Sequence, residues 1–281
     1  MKGKKIVSTL LALLLLTGVP VSALAAEWDI SKGDITVNAG SGGQTVTQGG
    51  GAAVVDSAPV IMGSSTDNTL TINAEKDQTA SVTLSGVNID VSGMYDKAAV
   101  STKGEGNVSI ELNGDSTLKS GEKHAGLEKN NGGRLTIADQ DKNGKLTAEG
   151  GLNGAGIGGG NQRDGSNIII TGGEIKATGG DYGAGIGGGL QGKGKDITVS
   201  GAAKLKVQGG VEDDVDGAGA GIGDGGSRSE SINDASPIPG AEVAPDISGL
   251  TTGRIEYYAP GADMEKDKPT STTGRRADRH R

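Results

Sequence analysis

Three near-identical heptads constrain this chain more than any other feature: Gly154-Ala155-Gly156-Ile157-Gly158-Gly159-Gly160, Gly183-Ala184-Gly185-Ile186-Gly187-Gly188-Gly189 and Gly219-Ala220-Gly221-Ile222-Gly223-Asp224-Gly225. With the weaker copy at Ala125-Gly126-Leu127, their apolar residues Leu127, Ile157, Ile186 and Ile222 lie 30, 29 and 36 positions apart. Two further series keep nearly the same step. Ile110, Ile137, Ile170 and Val199 are spaced 27, 33 and 29, and Leu118, Leu146, Ile175 and Leu205 are spaced 28, 29 and 30. Ile89 precedes Leu118 by 29, Thr45 to Val54 reads as an earlier copy, and Thr69 to Ala74 adds a strand-like run between them. Self-similarity at a fixed period of this length marks a stacked repeat fold.

Each unit holds two or three short runs in which apolar and polar residues alternate, the pattern of strands that present one face inward. One unit cannot cover its own inward Ile and Leu; the next unit must, with backbone hydrogen bonds running between equivalent strands. The spacing therefore predicts an all-β fold, a parallel β-helix of about six turns over residues 26–226. Right-handedness follows from the general crossover rule for parallel strands. Leu118, Leu146, Ile175 and Leu205 are expected in one buried file. Composition supports this reading: 53 glycines and no phenylalanine rule out a core of aromatic rings, and no Gly-X-Y period suggests collagen. Propeller blades need longer repeats, and a sandwich does not require a recurrent glycine corner.

The ends read differently. Lys2, Lys4 and Lys5 followed by an apolar run from Ile6 to Leu16 and by Ala23-Leu24-Ala25 read as a signal peptide over 1–25, which places the mature chain outside the cytoplasm, secreted or at the cell surface. That run falls short of the ~20 residues that span a bilayer, so no membrane span is expected in the mature chain. The whole chain carries −8; the leader removes three lysines and no acid, leaving −11, a balance that disfavours nucleic acid. Cysteine is absent, so disulfides are excluded. From Ser227 onward the period stops and most of the prolines appear, so 227–281 is expected to be a linker or disordered tail.

Motifs with a chemical sound mostly fit structure better. Gly154-x-Gly156-x-x-Gly159 matches a dinucleotide fingerprint, yet no helical pattern follows it and the string recurs at the structural period. Asp139-Gln140-Asp141-Lys142-Asn143-Gly144 opens like a calcium loop, but its twelfth position is Gly150, so a turn fits better. The one lengthened repeat carries Glu212-Asp213-Asp214-Val215-Asp216, and Asp224 replaces a glycine there. Asp213, Asp214, Asp216 and Asp224 are the candidate metal ligands, with calcium the cofactor their hard oxygens would suit. Only His124 and His280 are present, and no triad or zinc spacing can be assembled, so the chain does not read as an enzyme.

The heptads, with runs such as Asn167-Ile168-Ile169-Ile170-Thr171-Gly172-Gly173 and Val82-Thr83-Leu84-Ser85-Gly86-Val87, resemble glycine-rich carbohydrate-binding domain-containing surface proteins of Gram-positive bacteria. The resemblance covers about residues 30–226. It implies a right-handed β-helix at the cell surface that binds polysaccharide or cell-wall glycan, in places with calcium. It carries over no catalytic residue. Aromatic platforms for sugars are scarce, leaving Tyr95 and Tyr182 as carbohydrate-binding candidates. The expected function is non-catalytic carbohydrate binding. A structural or adhesive module and a polysaccharide lyase or glycoside hydrolase are the alternatives.

Overall fold

The computed structural model describes residues 25–211, 217–227 and 238–274. Residues 1–24, most of the expected signal peptide, and the metal-ligand candidates Asp213, Asp214 and Asp216 lie outside them. The fold is an all-β solenoid of about six turns, built from three parallel sheets. One turn shows the course: Gly165–Ile170 on a first face, Glu174–Thr178 on a second, Ile186–Gly187 on a third, then Gly194–Val199 back on the first. Each strand buries alternate residues, so inward side chains stack in columns along the axis.

The columns confirm two of the three expected series. On the first face Val82, Ile110, Ile137, Ile170 and Val199 are register partners. On the third, Ile35, Leu70, Val100, Leu127, Ile157, Ile186 and Ile222 form one file, all fully buried. Each such side chain withdrawn from water contributes about 1.5–3 kcal/mol.

The second face corrects the expected register. Leu146, Ile175 and Leu205 do align, and Ile255 extends them, but the partner of Leu146 one turn earlier is Ser116. Leu118 stands in the adjacent column, with Ile89 before it and Ala148, Ala177 and Val207 after it. Ser116 is buried, and its Oγ accepts the Val87 N–H at 3.3 Å. A polar residue thus holds an inward position that counting aliphatic anchors passes over, which shifts the apparent pairing by one pleat.

Glycine recurs in the heptads because backbones stack there. A Cβ on Gly183 would fall well inside van der Waals distance of the Gly154 carbonyl oxygen, and Gly219 stands in the same relation to Gly183. Ordinary side chains cannot enter such a file. At the neighbouring corner Asp96, Lys123, Asn153 and Tyr182 share a left-handed backbone, with φ between 60 and 71°.

Both ends are covered by chain that breaks the period. Thr45–Val54 is not an earlier parallel copy: Gly43–Gln48 turns back on Ile35–Gly40 as an antiparallel hairpin, and Val54–Val55 pairs antiparallel beyond it. Trp28 lies on the first strand and donates its indole N–H to Asp56 Oδ2 at 2.8 Å. At the other end the ordered chain runs further than residue 226. Glu242 accepts the N–H groups of Gly221 (2.6 Å) and Ile222 (3.1 Å), edge donors with no further parallel strand beside them among the described residues. Asp246 bridges to Thr198 on the first face, and Arg254–Tyr257 adds a strand to the second, closed by the antiparallel Ser271–Gly274. Leu250, Ile255 and Met264 are buried beneath this layer. An open strand edge invites pairing with other chains, and these layers blunt it. Among the described residues no helix is long and apolar enough to cross a membrane.

Candidate functional site

The alternation that sends Leu146, Ile175 and Leu205 inward sends charged residues outward on the second face. In register, Asp115, Lys145, Glu174, Lys204 and Arg254 make one outward column, and Thr117, Thr147, Lys176, Lys206 and Glu256 make the next. Neighbours in a parallel sheet sit about 4.8 Å apart, so these are ladders of charge at fixed spacing. Lys204 Nζ meets Glu174 at 2.8 Å and Lys145 Nζ meets Asp115 at 3.4 Å. Hydrogen bonding from Lys204 holds the Glu174 carboxyl below its ordinary range, so it stays ionised at neutral pH.

A strap, residues 258–270, crosses this face and turns it into a groove. Tyr258 and Met264 are buried. Gln208 Nε2 donates to the carbonyls of Ala259 (2.6 Å) and Ala262 (2.9 Å). Lys206 Nζ donates to Met264 O (3.0 Å) and pairs with Glu265 at 2.9 Å, while Lys176 lies 3.8 Å from the same carboxylate. Burial pulls the Lys206 amine down, but the hydrogen bond and attraction of Glu265 outweigh it and its pKa is raised. The groove on the Arg254 side of the strap has a volume of about 310 Å³. Its lining carries Lys145, Lys176, Lys204, Lys206 and Arg254 against the three carboxylates of Glu174, Glu256 and Glu265. In a chain of net negative charge, this is a local excess of cation.

The residues singled out from sequence fare unevenly. Tyr182 is 5% exposed, at the left-handed corner position, and presents no open ring face on which a sugar could stack. Tyr95 is 65% exposed, but the Lys123 ammonium sits 4.7 Å from its ring centroid and also donates to its hydroxyl. Asp224 is committed within the fold: Oδ2 pairs with Lys193 Nζ at 2.8 Å and Oδ1 accepts the Gly194 N–H at 2.9 Å. It stands where Gly159 and Gly188 stand in earlier turns and locks the last one. The other acids proposed to share a metal with it, Asp213, Asp214 and Asp216, lie outside the described residues.

A second polar cluster occupies the corner near Tyr95. Glu128, almost wholly buried, accepts from Asn130 Nδ2 and from the Ala125 N–H, and its Oε2 meets His124 Nδ1. His124 Nε2 lies 3.3 Å from Asp96. The hydrogen bond to Glu128, ahead of the attraction of Asp96, raises the His124 pKa and favours imidazolium. Nearby, burial pushes the Lys129 amine down to about 8, with Nζ donating to Asn131 O at 2.7 Å. These groups bind one another and tie the corner together. The described residues contain no group of three or more His, Asp or Glu arranged to hold a metal.

The groove escaped the sequence reading because runs such as Lys145 to Glu149 and Glu174 to Thr178 look like solvated strand faces. The available signal was the sign alternation at equivalent repeat positions, Lys145, Glu174 and Lys204. No family model, curated protein or solved structure matches this chain. The fold and the chemistry of its faces carry the functional argument.

Proposed function

We propose that this is an exported, non-catalytic carbohydrate-binding protein that lays an extended polysaccharide or cell-wall glycan along the second face. The observation that supports this reading most is the groove of five basic side chains and three carboxylates on a rigid sheet. Lysine and arginine at fixed spacing donate charge-assisted hydrogen bonds to sugar hydroxyls and carboxylates, and the interleaved acids accept from hydroxyls. Because the strands are locked by neighbours above and below, the backbone carrying these side chains does not have to order on binding. The reading needs no aromatic platform and no calcium. Calcium assistance would rest on the acids between 212 and 216, since both oxygens of Asp224 are engaged.

Binding to a panel of immobilised neutral and carboxylated polysaccharides, with and without chelator, tests the proposal. At least one polysaccharide is expected to bind, and Lys176→Ala/Lys206→Ala is expected to weaken it about tenfold or more, given ~1.5–3 kcal/mol for a hydrogen bond to a charged group. No binding to any member, or a double variant that binds like the parent, would overturn it. The continuous stack with both ends covered also suits a rigid spacer with no ligand, and the first of those outcomes would favour that role.

A further inference from the structure

The strap divides the second face into two hollows. On one side lies the groove already described; on the other a hollow of about 340 Å³ is lined by Glu149, Thr178, Gln208, Asp263 and Met264. Lys176 lines both, and the strap gives Glu265 to one and Met264 to the other, so the divide runs through Lys176 and the strap at Met264 and Glu265. We propose that the 258–270 strap is a gate: Glu265 occupies the Lys176–Lys206 cation pair as an internal anion, and a bound chain displaces it, joining the two hollows into one channel. This rests on the groove being the binding surface.

Three observations carry the proposal. Glu265 is bound by both lysines, at 2.9 and 3.8 Å, where an incoming carboxylate or hydroxyl would be bound. Its side chain is 63% exposed, so it can leave into water without desolvation. The strap is held lightly. Between Tyr258 and Thr270 its only buried side chain besides Tyr258 is Met264; apart from the Glu265 ion pairs, its middle is tied to the sheet by the Gln208 and Lys206 hydrogen bonds, and its start by the Tyr258 N–H on Val207 O and the Tyr258 hydroxyl on Glu256. Segments with few buried apolar contacts open at a small fraction of the global unfolding free energy. Its two ends stay fixed, by Arg254–Tyr257 in the sheet and by the Thr270 N–H on Tyr257 O at 2.7 Å. Tethering puts the Glu265 carboxylate at high effective concentration over the lysines, so it competes with any external anion.

The test compares the full chain with Glu265→Gln and Glu122→Gln by calorimetric titration with polygalacturonate, a linear polymer of carboxylated sugars. Glu122 is exposed and outside the groove, so its variant reproduces the change in net charge alone. Glu265→Gln is expected to bind about five times more tightly than the parent, with Glu122→Gln unchanged, and amide exchange of 258–270 in the parent is expected to quicken when the polymer is added. A parent that binds while Glu265→Gln binds no better overturns the gate and leaves the groove standing. A gain shared equally by Glu122→Gln also overturns it. If neither the parent nor Glu265→Gln binds polygalacturonate, the gate is overturned, while the groove itself is decided by the wider panel of neutral and carboxylated polysaccharides.

Discussion

Gly183→Ala is expected to cost this protein about 3 kcal/mol of stability, the upper range for forcing extra atoms into a packed interior. The new Cβ would press on the carbonyl oxygen of Gly154, which is backbone held in register by the turns around it. No rotamer change relieves the contact; whole turns must part. With a melting-temperature change of about 2–4 °C per kcal/mol for a domain of this size, the loss reads as roughly 6–12 °C. Gly93→Ala is the matched control, since nothing lies within 4 Å of a Cβ there and its φ is not in the left-handed region. Equal melting temperatures for the two variants would contradict the stacked-backbone explanation of the heptads.

Ending the chain at Ser227 is expected to have a still larger effect. The truncation strips Leu250, Ile255 and Met264 from the end of the core, at ~1.5–3 kcal/mol for each buried side chain. The total approaches the ~5–15 kcal/mol that separates folded from unfolded chains. It also bares the edges at Ile222–Gly223 and Lys204–Gln208, whose donors now meet Glu242 and the Arg254–Tyr257 strand. Light scattering on a sizing column should show more self-association than in the parent, and melting should fall sharply. A truncated chain that keeps the parent's size and melting temperature would show that the closing layer is dispensable.

The contrast between those predictions shows what could be read from sequence. Ile110, Ile137, Ile170 and Val199 are legible because a β-branched aliphatic residue holds one inward position in successive turns. The same counting failed at Leu118, where Ser116 takes the inward place above Leu146 and hydrogen-bonds the Val87 N–H. Thr45 to Val54 reads as an earlier repeat copy, since alternation alone does not distinguish a parallel rung from the returning arm of a hairpin. The closing layer was illegible for a different reason: Glu242, Asp246 and Ile255 occur once, so no period announces them. The groove combines both difficulties. Its floor is periodic, but Glu265 reaches Lys206 across 59 residues, a contact that no local pattern encodes. Tyr182 suggests sugar binding by residue type alone, whereas its left-handed backbone and burial place it at a structural corner.

Paired cysteines read the stacking directly in a chain that has no cysteine of its own. Thr117 and Thr147 are register partners on the outward side of the second face, whereas Lys145, one pleat away, faces Asp115. A disulfide requires Cα atoms about 4.4–6.8 Å apart, and adjacent parallel strands meet that requirement only in register. The account predicts that Thr117→Cys/Thr147→Cys oxidises readily to an intramolecular bridge while Thr117→Cys/Lys145→Cys stays reduced. Bridging of the second pair and not the first would mean that the turns do not lie on one another as described.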